Sequence, residues 1–261
     1  MSLEGLAPSI LAPAFIAGLV VLSTHIPLGH EVLRRGIIFI DIAVAQIAGL
    51  GVIIAYTLGW GEHGIEAQAA AVISALLGAW ILSRLEKKYS EYQEALIGTS
   101  FILAATAGIL LLANNPHGGD HLKDLLVGQI LWVQWGQLLY SAFVSITVLL
   151  VWLRFRSSIG SAGFYTLFAI AITVSVQLVG VYLVFASLII PALATVGCSN
   201  RSGYGMSAII GVSGYAAGLV VSALLDLPSG AVIVWTIALS ALLVHLSGAC
   251  KALMNSRTKS N

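Results

Sequence analysis

Residues 34–46 read RRGIIFIDIAVAQ. Two arginines give way to an apolar run, and inside that run stand an aspartate and a glutamine where a lipid-facing helix would carry leucine. A carboxylate in the bilayer interior is costly unless it is neutralised, paired or hydrated. What Asp41 means therefore depends on what surrounds it. The chain has 261 residues, 59% of them hydrophobic and 9% charged. A soluble domain is roughly a quarter charged, so this composition indicates a polytopic membrane protein. The net charge of +1 offers no basic surface for nucleic acid and no acidic solvating tail.

A helix needs about 20 mainly apolar residues to cross the hydrocarbon. Stretches 8–28, 37–59, 66–83, 95–113, 135–153, 163–182, 204–225 and 229–249 qualify, and 183–197 is a shorter apolar piece containing Pro191. The expectation is an all-α integral membrane protein, a bundle of about eight or nine transmembrane helices forming a single domain over 1–261. The N-terminus MSLEGLAPSI lacks a basic n-region, so the first apolar stretch reads as a retained span. Cys198 and Cys250 stand singly, without metal-like spacing, and read as small hydrophobes.

Basic residues orient the bundle. Arg34 and Arg35, then Arg84, Lys87 and Lys88, then Arg154 and Arg156, then Arg201, then Lys251, Arg257 and Lys259 fall on alternate connections. The opposite loops, GEHGIE, NNPHGGDHLKD and LDLPSG, hold a single lysine, Lys123. The positive-inside rule places the N-terminus outside and the C-terminus in the cytoplasm. An odd number of crossings follows, nine if 183–197 crosses. Small residues within the spans allow close packing, and polar residues such as Asp41, Gln46, Thr173 and Gln177 sit inside them. Gly180, Ser187 and Pro191 interrupt 177–197, as where helices break around a translocation path. No P-loop, GxSxG or HExxH occurs, so any pump built on this chain borrows its ATPase.

The stretch PLGHEVLRRGIIFIDIAVAQ, 27–46, resembles the PLG…V..RR…F.D..A pattern of membrane permeases from bacterial metal-type ABC importers. The resemblance continues in order through EALIGTSFILAATAGILLL (94–112), DLLVGQILWV (124–133), QLVGVYLVFASLIIPALATV (177–196) and DLPSGAVIVWTIALSALL (226–243). Each motif is weak alone, and five in collinear order are specific. The resemblance implies a helical permease paired with a second copy or a close relative. It also implies two cytoplasmic ATPase subunits that use ATP, and a periplasmic or lipid-anchored metal-binding protein that delivers zinc or manganese. No cofactor of its own is implied.

Two departures accompany the resemblance. The family's second span usually carries an aspartate with histidine four residues later, its intramembrane metal pair. Here Asp41 is followed by Ala45, with Gln46 beside it. Asp41 and Gln46 lie about 140° apart around a helix, so the missing ligand has to come from elsewhere. His25 in the first span is one source; His30 and Glu31 by the cytoplasmic boundary are another. His117, Asp120 and His121 in the extracytoplasmic loop are a third, since two imidazoles flanking a carboxylate suit a borderline dication. Asp120 could instead N-cap a helix beginning at His121, and Gln177 matches a glutamine of some relatives. The second departure is the link RFRSSIGSAGF, 154–164, which is shorter than the family's ATPase-seating stretch. The seat would fall to SSIGSAG with its flanks or to RLEKKYSEYQE (84–94). The expected function is the permease of an ABC importer for a divalent metal in the bacterial inner membrane, zinc preferred for its histidines. An ATPase-independent transporter or channel, or a non-transporting partner, is the alternative.

Overall fold

In hydrocarbon every backbone N–H and C=O must be paired within the protein, which leaves helices as the outcome for these apolar stretches. The computed structural model describes residues 8–60, 64–113, 115–116, 118–156, 158–198 and 200–247, and these are helices joined by short turns. In chain order they are α1 (Pro8–Arg35), α2 (Ile40–Thr57), α3 (Ile65–Lys88), α4 (Gln93–Leu112), α5 (Gly118–Val127), α6 (Trp135–Phe155), α7 (Ser161–Val179), α8 (Val181–Ala194), α9 (Asn200–Leu225) and α10 (Ser229–Leu246). Eight described helices are long and apolar enough to span a membrane, while α8 is shorter. The helices form a membrane bundle whose outer faces carry Leu110, Phe143 and Trp235, all well exposed. Such groups are at home against lipid.

The short helix α8 nevertheless runs from one end of the bundle toward the other. Its first turn follows Gly180, which packs against Gly128 at the end of α5, and Gly230 at the start of α10 meets Val127 there. Its middle presses on α1, where a Cβ on Gly29 would lie 2.1 Å from the Leu188 carbonyl oxygen. Beyond its last turn, the Thr195 hydroxyl lies within hydrogen-bond range of His30 and Ser207. The 183–197 expectation therefore narrows to Val181–Ala194.

The crossing at the far end depends on glycine. Gly180 has φ +82 and Gly128 has φ +72, both in the left-handed region. A Cβ on Gly128 would stand 2.2 Å from the Val179 carbonyl oxygen, and one on Gly230 would stand 2.3 Å from that of Val127.

At the opposite end the arginines are organised around one carboxylate. Glu31 is 1% exposed and pairs with Arg34 at 2.5 Å, Arg35 at 2.8 Å and Arg156 at 3.5 Å. Arg35 also lies 4.3 Å from the Phe164 ring centre, and Arg156 lies 5.7 Å from that of Trp152. This knot ties the end of α1 to the α6–α7 turn. Beside it, the Glu94 carboxylate accepts the Ile38 backbone N–H at 2.7 Å, and Gln93 donates to the Tyr165 hydroxyl at 2.7 Å.

Several sequence boundaries shift. α1 continues through Pro13 and Pro27 to Arg35. The segment 84–94 is the end of α3, a single 3-10 turn at Ser90–Tyr92 and the start of α4. The α6–α7 link is equally tight, with the Ser158 and Ile159 N–H groups both donating to the Phe155 carbonyl. Neither connection forms an α-helix of its own among the described residues. The helix expected at His121 begins at Gly118. Cys198 is disulfide-bonded rather than an inert hydrophobe; Cys250 lies outside the described residues.

Gly36 has φ +70 with open space around it, so Gly36→Ala should cost about 1 kcal/mol in backbone strain alone. Gly128→Ala adds a backbone collision and should lower the apparent unfolding temperature in lipid nanodiscs far more. Equal shifts for the two variants would show that the crossing is not tight. Glu31→Gln should cost about 2 kcal/mol, the value of charge-assisted hydrogen bonds to a buried carboxylate. Arg34→Ala, at a side chain 64% exposed, should cost under about 1 kcal/mol in the same assay.

Candidate functional site: a polar cavity among apolar helices

The end of the bundle away from the arginines encloses a cavity of about 380 Å³. Its walls are the second half of α2 from Ala48 to Tyr56, the first turns of α3, the end of α5 with the segment 128–134, the start of α6 and the end of α7. Five glutamines face it (Gln68, Gln129, Gln134, Gln137 and Gln177), together with Tyr56, Thr173 and a single carboxylate, Asp124. In so apolar a bundle this concentration of polar groups requires water or a polar ligand beside it.

Local structure sets what each group offers. Gln134 and Gln137 form a capping box at the start of α6, so each amide oxygen already accepts a backbone N–H. Thr173 is buried and donates its hydroxyl proton to the Ala169 carbonyl at 2.7 Å, leaving its lone pairs for the cavity. The Tyr56 hydroxyl accepts from Asn115 at 3.1 Å. Gln177 is exposed to the cavity in the last turn of α7, just before the break at Gly180.

The residues nominated from sequence scatter. Asp41 sits in the first turn of α2, near the arginine end rather than deep within the span, because α2 begins at Ile40. It is fully buried, and neither carboxylate oxygen has a hydrogen-bond partner among the described residues. The α2 N-terminus partly compensates, since its free N–H groups and dipole favour negative charge. Seven residues separate Asp41 from Ala48, the first α2 residue at the cavity, a rise of about 10 Å. Ala43, Val44, Ala45 and Gln46 fill that interval as buried side chains.

His25 is buried in α1, with Thr24 3.2 Å from its Nδ1 and, among the described residues, no partner on Nε2. His30 lies 3.0 Å from the Ser207 hydroxyl and edge-on to Tyr204. Glu31 is committed to its arginines. Asp120 is exposed in the first turn of α5, His121 belongs to the same helix, and His117 lies outside the described residues. Among the nominated residues whose side chains are described, Gln177 lines the cavity and the others do not. Among the described residues no group of three His, Cys, Asp or Glu side chains is placed to hold a metal ion.

Sequence reasoning missed Asp124, Gln68 and Gln129. The signal was present in GQILWVQWGQ, 128–137, three glutamines within ten residues next to an apolar span. Histidine and carboxylate spacing drew attention away from neutral amides.

Comparison with known proteins places this geometry. A membrane protein of Chlamydia muridarum described as a probable metal transport system membrane protein is 26% identical over 88% of this chain and 86% of its own length. The manganese transport system membrane protein MntC of Halalkalibacterium halodurans is 27% identical over 79% of this chain and 76% of its own. Among solved structures, PsaBC from Streptococcus pneumoniae in complex with Fab aligns with a TM-score of 0.74 at 23% identity, covering 94% of this chain and 95% of that one. A putative metal-chelate type ABC transporter in an inward-facing conformation aligns with a TM-score of 0.60 at 16% identity, covering 92% and 85%. Both share the helical fold. The profile of the ABC 3 transport family matches residues 8–164 and 158–248, nearly the whole chain; the chain belongs to that family, as a multi-pass permease of the metal ABC transporter type.

Proposed function

We propose that this chain is the translocating subunit of an ABC importer that moves a divalent metal ion, manganese in preference to zinc, across the bacterial inner membrane. The observation that carries the reading is the polar cavity enclosed by apolar helices in a metal-type permease. Its groups are oxygen and amide donors, which suit a hard cation better than a thiolate- or imidazole-seeking one. The histidines that favoured zinc in the sequence are not gathered into a site among the described residues. MntC, named for manganese, supports the same choice.

In this reading the arginine end faces the cytoplasm, with the N-terminus outside and the C-terminus inside. The cavity then faces the extracytoplasmic side, where a periplasmic or lipid-anchored metal-binding protein delivers the ion. The buried interval from Ala43 to Gln46 closes the way toward the arginine end, as an outward-facing state requires. A dimer of cytoplasmic ABC ATPase subunits uses ATP to exchange the two states. It docks on the tight turns around Gly36, Tyr89 and Ile159, which the Glu31 ion pairs and the Glu94–Ile38 and Gln93–Tyr165 hydrogen bonds link. A second copy of the permease completes the membrane part. The chain performs no covalent chemistry. Its sites are weak by design, because an ion held by several strong ligands would not leave.

The test is metal accumulation in cells stripped of their own zinc and manganese importers, expressing this chain with its ATPase and binding protein. Manganese should accumulate faster than zinc. Asp124→Asn should cut the rate about tenfold, the scale of one lost charge contact of about 1.4 kcal/mol. An ATPase partner disabled in its P-loop should abolish uptake. Undiminished uptake with the disabled ATPase would favour the ATPase-independent transporter or channel instead.

A further inference from the structure

We propose that the Asp124 cavity holds its cation through the cation's own ligand shell, by hydrogen bonds to that shell, rather than by direct metal–protein bonds. The inference rests on the metal-permease reading above and adds how the ion is recognised.

Charge and ligand count come first. A dication gives up its water readily only to a set of anionic or imidazole ligands that replaces the lost coordination, and small hard cations keep several waters otherwise. Among the described residues the cavity supplies one carboxylate, Asp124, and neither histidine nor cysteine lines it. Among the described residues no three such ligands converge anywhere in the bundle. One carboxylate attracts a dication across a low-dielectric wall without being able to strip it.

Hydrogen-bond polarity points the same way. Water or hydroxyl groups bound to a cation turn their protons outward, so a site for such a shell must present acceptors. Asp124, Gln68, Gln129 and Gln177 offer carboxylate or amide oxygens free of any capping role, and buried Thr173 has its proton committed to Ala169. Bonds through an intervening ligand-shell water are nearly as favourable as direct ones. Size agrees as well. Six waters at about 30 Å³ each need roughly 180 Å³, and the cavity of about 380 Å³ leaves room for a bulkier shell. A bare ion would rattle in such a space with its coordination unmet. The shell can be water or the hydroxyl and carboxyl groups of a small organic chelator, since both present the same outward donors.

The experiment uses the full chain in lipid nanodiscs and hexaamminecobalt(III), whose six ammine ligands do not exchange and which can bind only through its shell. Saturable binding is expected, displaced by manganese and weakened at least tenfold by Asp124→Asn. Gln177→Leu, which removes an acceptor and no charge, should weaken it less. Asp226→Asn, at the same end of the bundle but outside the cavity, should leave it unchanged. No saturable binding, or binding indifferent to Asp124→Asn, overturns the proposal. So does nitrogen hyperfine coupling from the protein in the electron paramagnetic resonance of bound manganese. Competition by manganese with and without excess citrate separates the aqua ion from a chelate. Metal uptake in cells is read independently. Uptake with no probe binding removes the shell-mediated site and keeps the importer, whereas absent uptake removes the importer whatever the probe does.

Discussion

Three backbone segments cross within van der Waals distance at Gly128, Gly180 and Gly230, and the rest of the cavity end depends on that crossing. Helices in lipid gain little from burying apolar surface against each other, because lipid tails are as apolar as leucine. Close approach of small residues supplies the packing instead. Here the approach also turns the chain. Gly180 ends α7 with a left-handed φ and lets α8 run back toward the arginine end. Because Gly128 and Gln129 follow α5 and Gln177 and Leu178 precede Gly180, the crossing places these groups side by side on the cavity wall. A side chain at any of the three glycines would push the wall apart.

The two ends of the bundle treat polarity in opposite ways. At the arginine end charge is dense and gathered on one carboxylate: Glu31 is shared among three guanidinium groups, and two of those groups rest on aromatic rings. Such a knot is rigid because each partner constrains the next. The lining of the cavity, by contrast, carries one aspartate among neutral amides and hydroxyls. Neutral groups reorient at little cost, whereas a buried salt bridge breaks only at a cost of several kcal/mol. A rigid end suits force transmission from a partner, and a compliant end suits a ligand that must enter and leave.

Much of the fold was legible because its causes are local in sequence. Hydropathy marked every long helix, and alternating basic connections ordered the two ends. The shortness of 183–197 and the glycine before it already suggested a broken element. The site was far less legible. Asp41 drew attention as a carboxylate in an apolar run, yet the helix start at Ile40 puts it one turn from the arginine end, a register that hydropathy does not resolve. Glu31 looked available until Arg156, distant in sequence, arrived to share it. Asp124 and Gln68 gained their meaning only from the convergence of α3 with α5, which no spacing within one segment encodes. His121 and Asp120 share a helix rather than a loop, and that helix begins three residues earlier than the capping argument placed it.

The alanine at position 45 gives these observations a common cause. With Asp41 at a helix start and no imidazole one turn on, the interval between it and the cavity is packed with small apolar side chains and one amide. That interval can seal the bundle, but it cannot coordinate a metal tightly. If no strong intramembrane ligand pair forms, as the proposed reading has it, selectivity is gained earlier, where the ion is delivered, or from the size and hydrogen bonding of what the ion carries. On the proposed reading the cavity serves the second of these, being wide, singly charged and lined with acceptors. On the reading proposed here, the loss of the histidine and the abundance of glutamine are two aspects of one arrangement, in which the ion's own shell makes the contacts that imidazole would otherwise make.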